Sequence, residues 1–210
     1  MDQVLKEGLR ELLKSAAKKI DRIAFEQEPN YTAALFGKLH EERIESPSGQ
    51  FLKLSYSISN DRGPNSAEKK TGTDIGMIFR WEDPQNGEIF EKAVLAQAKN
   101  YLHKLSNDEK TRLSEQCIQM SHFTKSYIVM DCPYDRTIPS ICRSSDSPPY
   151  WSESTMRFDD YLVDVVLECH DGDTSKNIIE MAKRADRRMI IETNSPSPIL
   201  KMSKKIGRKM

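Results

Sequence analysis

The sequence predicts an α/β fold with a mixed central sheet flanked by helices, and three observations predict it. A segment of helical period, roughly 31–43, is followed by three strand-like runs at 51–58, 75–81 and 90–98. A second helical pattern follows, which Ser106 or Asn107 can cap, and then a fourth apolar strand at 126–130. The order helix, strand, strand, strand, helix, strand suits a layered core in which helices cover both faces of a sheet.

Each element carries its own signal. Residues 3–24 place Val4, Leu5, Leu9, Leu12, Leu13, Ala16, Ile20 and Ile23 at three- and four-residue spacing, which makes an amphipathic helix. Pro29-Asn30 breaks the chain, Asn30 is read as the cap of the next helix, and Leu35, Phe36 and Leu39 form its apolar side. Ser46-Pro47-Ser48-Gly49 is a turn. From Phe51 to Ile58 apolar residues alternate with polar ones, as in a half-buried strand. The polar stretch 59–71, with Gly63-Pro64, reads as a loop, and Asn86-Gly87 reads as the turn of a hairpin joining the second and third strands. On the helix after the third strand, Leu113, Cys117 and Met120 share a face. Residues 131–155, with four prolines, read as irregular, 158–169 and 175–184 as helices, and 189–191 as a short strand. One domain over 26–195 is expected, with an N-terminal amphipathic helix over 1–25, a basic tail over 196–210 and helical additions at both ends.

Composition narrows the function. The chain has 210 residues, enough to bury a sizeable core, and no apolar run of membrane-spanning length. The opening residues lack the apolar core of an export signal, and the four cysteines include no CxxC pair, so reduced thiols in a cytoplasm are expected rather than a zinc site. Charged residues make up 30% of the chain, yet the net charge is zero, which argues against strong non-specific binding to DNA. Local basic patches lie at 14–19 and in the tail. His170-Asp171-Gly172-Asp173 has metal-ligand residue types but the spacing of ordinary turn chemistry.

One constellation carries chemistry. Asp74 opens the second strand after Gly72-Thr73, and Gln97-Ala98-Lys99 closes the third. An antiparallel hairpin would bring the start of one beside the end of the other. Gln97 and Lys99 differ by two residues and so share a face. A lysine ending the run Val94-Leu95-Ala96 is an odd choice for a buried strand unless it has a task. Asp74 offers a hard oxygen to Mg²⁺ (or Mn²⁺), and such an ion acidifies a bound water and offsets phosphate charge. Lys99 could orient or deprotonate the attacking water, or stabilise the transition state. Gln97 offers only a neutral amide oxygen, so a second carboxylate is needed. The N-terminal end of the helix near residue 31 should lie close to Asp74, which favours Glu28, or Glu26, over Glu41, Glu42 and Glu45.

The pattern Gly72-Thr73-Asp74, then Gln97-Ala98-Lys99, resembles the second and third motifs of the PD-(D/E)xK restriction-endonuclease-like superfamily, in the QxK branch of Mrr-type restriction enzymes and bacterial antiphage nucleases. Glu28 resembles its helical first motif, and the element order over 31–130 resembles its αβββαβ core; about half of the chain is covered. Thr73 stands where the family has proline, and Gln97 where it has an acid. The resemblance implies metal-dependent cleavage of DNA, or less often RNA, with Asp74, Gln97 and Glu28 as metal ligands, Lys99 as the catalytic lysine and Gln116 as a supporting polar residue. A DNA endonuclease, the effector or subunit of a bacterial defence or restriction system, is therefore expected, with a protein partner or homo-oligomerisation supplying specificity. The alternative is an inactive adaptor that kept the nuclease-like fold.

Overall fold

In the computed structural model, which describes residues 1–59, 70–85 and 87–197, the chain forms an eight-stranded mixed sheet between two layers of helix. Helix α1 (Gln3–Lys18) starts where the Asp2 carboxylate accepts the Val4 N–H at 2.9 Å, and it buries Leu5, Leu9 and Leu13 in the main core. It stops short of the predicted residue 24. Arg22 leaves the helical path to place its guanidinium between the rings of Tyr31 and Tyr134, and Ile23 is left 90% exposed.

Helix α2 (Glu28–Gly37) begins earlier than the apolar pattern indicated. Its cap is Gln27 rather than Asn30, and Pro29 sits in the first turn, where its missing N–H costs nothing. The strands are β1 (Arg43–Glu45), β2 (Phe51–Ile58), β3 (Ile75–Glu82), β4 (Ile89–Asn100), β5 (Tyr127–Cys132), β6 (Ser140–Ser144), β7 (Trp151–Arg157) and β8 (Arg187–Thr193). Between β4 and β5 runs α3 (Asn107–Ser121), closed by a capping box in which Ser106 and Glu109 each bond the other's backbone N–H. After β7, α4 (Phe158–Asp160) passes directly into a π-helical stretch, Tyr161–Val166, and α5 (Lys176–Lys183) precedes β8.

The sheet order is β1-β2-β8-β3-β4-β5-β6-β7, with β8–β3 and β4–β5 parallel and the other pairs antiparallel. Two expectations fail here. The C-terminal region is not a helical addition at the margin of the domain: the strand expected at 189–191 extends over Arg187–Thr193 and enters the sheet between β2 and β3, which are therefore not neighbours. Residues 131–155 also hold β6 and most of β7, which were read as irregular. Most β7 residues are solvent-exposed, so its sequence shows no apolar alternation. The predicted β3–β4 hairpin stands, with Ile75 opposite Ala96, while Asn86 of its turn, the stretch 60–69 and the tail from 198 lie outside the described residues.

Side-chain alternation divides the core in two. Ile75, Met77, Phe79, Val94, Ala96 and Ala98 face α1, α2 and the 158–167 helical stretch. Ile78, Ala93 and Leu95 face α3 and α5. No helix among the described residues is long and apolar enough to cross a membrane.

Gly76 fixes the closest approach of a helix to this sheet. A Cβ there would lie 2.0 Å from the carbonyl oxygen of Ala182 on α5. Gly76→Ala is therefore expected to lower unfolding free energy by about 1–3 kcal/mol, the usual penalty for overpacking, read as a lower urea midpoint at unchanged slope.

Candidate active site

Three strand ends lie side by side at one edge of the sheet. Ile75, the first residue of β3, is opposite Ala96 of β4 on one side and Arg187 of β8 on the other. Asp74 just precedes Ile75, and both its backbone groups are committed: its N–H donates to Ala96 O at 3.1 Å, and its carbonyl accepts from Arg187 N–H at 3.2 Å. With the backbone gripped from both neighbours, the carboxylate has a fixed origin.

The loop before it is equally constrained. Gly72 has φ +72°, and a Cβ on it would sit 2.4 Å from the backbone carbonyl of Gln116 on α3. Only glycine tolerates both the left-handed conformation and that contact. The backbone of Gln116, a residue expected to support the site, is what Gly72 packs against.

The polar side chains converge as the sequence indicated for Asp74 and Gln97. Gln97 Nε2 donates to Asp74 Oδ2 at 2.5 Å, and both residues are buried. Gln97 Oε1 is also buried and has no hydrogen-bond partner among the described residues. An unsatisfied buried acceptor is costly to keep and calls for a ligand or a function. Glu28, chosen by topology as the second carboxylate, arrives from the first turn of α2, where the helix dipole favours an acid. Its Oε1 accepts from Thr32 Oγ1 at 3.2 Å. Lys99, by alternation, lies on the same face as Gln97. It is half-buried and has no hydrogen bond or ion pair among the described residues, and its charge acts on Glu28.

The residue that sequence reasoning missed is Arg187. Its guanidinium is buried and pairs with Glu28 Oε1 at 3.1 Å and with Asp74 Oδ2 at 3.7 Å, while also donating to Thr32 Oγ1. A signal was present: Arg187 lies two residues before Met189 and four before Ile191, so alternation places it on the core face, as odd a position for a cation as that of Lys99. Burial is the largest influence on each partner, with unequal outcomes. Burial pushes the Glu28 carboxyl above its ordinary value despite Arg187 and Lys99. Arg187 faces two carboxylates, and together they outweigh burial and hold it more firmly in its charged form.

The donor set tests the fit of a metal. Among the described residues no group of three or more His, Cys, Asp or Glu side chains is gathered. Asp74 accepts from Gln97 and shares Arg187 with Glu28, so two carboxylates and an amide, with hard oxygen donors of the kind Mg²⁺ and Mn²⁺ accept, meet through one guanidinium. The residues fit such an ion by chemistry, with Arg187 as its electrostatic competitor. No protein-family model, curated protein or solved structure matches the chain.

Two predictions come from this charge arrangement. Arg187→Met leaves two buried carboxylates without their main cation and is expected to cost about 3–5 kcal/mol of unfolding free energy, the range for a broken buried pair, measured by urea denaturation at neutral pH. The second concerns pH. Because the folded carboxyl of Glu28 titrates above its unfolded value, the native state holds this proton longer, and wild-type stability falls as pH rises from about 4.5 through the folded pKa. Glu28→Gln lacks that titration, so its stability relative to wild type should increase with pH across this window. A flat difference would show that Glu28 titrates alike in both states.

Proposed function

We propose that the chain is a metal-dependent endonuclease that hydrolyses phosphodiester bonds of DNA, built on a restriction-endonuclease-like core and serving as the effector or a subunit of a bacterial defence or restriction system. The observation that carries the reading is the buried, partnerless Gln97 Oε1 beside Asp74, at the same sheet edge as Glu28 and a half-buried lysine. An inert core has no use for an orphaned acceptor next to two acids. The run α2, β1, β2, β3, β4, α3, β5 supports the reading, since apart from the added three-residue β1 it keeps the helix, strand, strand, strand, helix, strand order of that family, with β8 as an intercalated strand.

In this reading Asp74, Glu28 and Gln97 Oε1 hold the ion. A bound Mg²⁺ or Mn²⁺ supplies an acidified water and offsets the charge of the phosphate. Lys99 carries no competing carboxylate among the described residues, so its ammonium is available to orient the water or to stabilise the negative charge of the transition state. Arg187 keeps the two acids from repelling one another and fixes Glu28 through Thr32. In this reading specificity comes from a partner protein or a second copy of the chain.

The arrangement of Arg187 favours a second reading. A guanidinium paired with both carboxylates already does the electrostatic work of a cation, as it would in an adaptor that kept the fold and lost the chemistry. Calorimetry with Mg²⁺ and Mn²⁺ separates the two. A nuclease binds the ion and loses that binding on Asp74→Asn, whereas an adaptor gives no heat in either form.

The central test is cleavage of supercoiled plasmid, linear duplex and single-stranded DNA by the purified chain with Mg²⁺ or Mn²⁺. Asp74→Ala and Lys99→Ala are each expected to reduce the rate by at least about a hundredfold while circular dichroism stays unchanged. Cleavage that survives both substitutions would remove the proposal.

A further inference from the structure

A cleft of about 750 Å³ opens between α5, the start of β8 and the helical residues Lys70 and Thr71. Lys70, Lys183, Arg184 and Arg188 line it, with Phe123 at its wall. We infer that this cleft binds the phosphate backbone of a single-stranded nucleic acid, with Phe123 stacking on a base, and that it leads the strand to the Asp74 edge; the last clause rests on the nuclease reading above.

Charge is the first argument. The whole chain is neutral, yet among the described residues the cleft is lined by four cationic side chains and one acid, Glu180; Lys183 is shared by Glu180 at 3.4 Å and Glu91 at 3.3 Å, which leaves Lys70, Arg184 and Arg188 as the excess. Such a local excess focuses a positive field where the molecule as a whole has none. Arg188 gives the second. Its Nη1 donates to Lys183 O at 3.0 Å, which fixes the guanidinium against α5. A planar guanidinium held in place at a cleft wall is suited to a phosphate oxygen.

Phe123 decides the strandedness. It lies just beyond α3 and is 47% exposed, so its ring is open to stacking at the wall of a cationic cleft. Cationic grooves with an exposed aromatic bind unpaired strands, because a base offers its face for stacking only once it has left the duplex. Register supplies the continuity. Arg188 lies opposite Gly76 and Arg187 opposite Ile75, so the cleft begins one residue from the ion-paired arginine, and Thr71 on its wall is three residues before Asp74. The hydrogen bond from Arg188 to α5 puts the cleft on the α3 and α5 side of the sheet, which by alternation is also the side of Gln97 and Lys99.

The test is fluorescence anisotropy of the full chain in EDTA, where no cleavage occurs, with labelled oligothymidylate and a duplex of equal length. Wild type should bind the single strand more tightly. Lys70→Glu combined with Arg184→Glu, both at exposed positions, should weaken it by at least about tenfold and flatten the log–log salt slope by about 1.4, the loss of two phosphate contacts. Phe123→Ala should weaken it by roughly tenfold with the salt slope unchanged. Lys14→Glu with Lys18→Glu, on the far side of the molecule, should leave affinity within about twofold, since exposed charges there neutralise no bound phosphate, and thermal melts establish that every variant is folded. Tighter binding of duplex, or cleft variants that bind like wild type, would overturn the inference. Loss of strand binding in the cleft variants alongside a wild type that never cuts DNA supports the cleft and defeats only the nuclease reading. Cutting by cleft variants with unaltered strand affinity does the reverse.

Discussion

A guanidinium buried between two buried carboxylates is the constraint on which the rest of the molecule turns. Arg187 comes from β8, Glu28 from α2 and Asp74 from the entry to β3, so one set of charges ties three elements that are remote in sequence. Taking charges out of water costs several kcal/mol each unless they are paired in good geometry. Each of the three therefore favours the position of the other two. That requirement seats α2 on the sheet with its N-terminus at the edge, and it sets β8 beside β3 in parallel register. The backbone bond from Arg187 N–H to the Asp74 carbonyl fixes the same junction a second time.

The polar edge stands beside two apolar layers, and each layer limits it. On one side Tyr31, Leu35 and Phe36 bury α2 against the sheet, which leaves Glu28 no path to bulk water except along the edge. On the other, Gly72 and Gly76 let α3 and α5 approach the backbone so closely that the loop leading to Asp74 has no alternative route. Rigid support of this kind is what a hydrolytic site needs, because positioning contributes to rate only when the reacting groups are held in place. At this edge the oxygen of Gln97 and the ammonium of Lys99 have no side-chain partner among the described residues.

Part of this was legible residue by residue. The Asn-Gly turn signal and the period-two runs gave the β3–β4 pairing, and pairing alone forces Asp74 beside Gln97. The direction of the helix before the sheet was enough to choose Glu28 over Glu41, Glu42 and Glu45. Arg187 was passed over because its strand looked like a short terminal appendage, and nothing in a run of seven residues says which two strands it will separate. β6 and β7 were passed over because an exposed edge strand needs no apolar alternation.

What the sequence determined by itself was therefore local: periodicities, turns, and the pairing of strands joined by a short connection, since these depend on neighbours within a few residues. It placed Asp74, Gln97 and Lys99 at one sheet edge and gave the α/β class. The insertion of β8, and with it the arginine that neutralises Glu28 and Asp74, was decided only by tertiary structure. A strand's place in a sheet is set by which exposed edges remain when it arrives and by which buried charges must find a partner, and both are properties of the assembled core rather than of any segment within it.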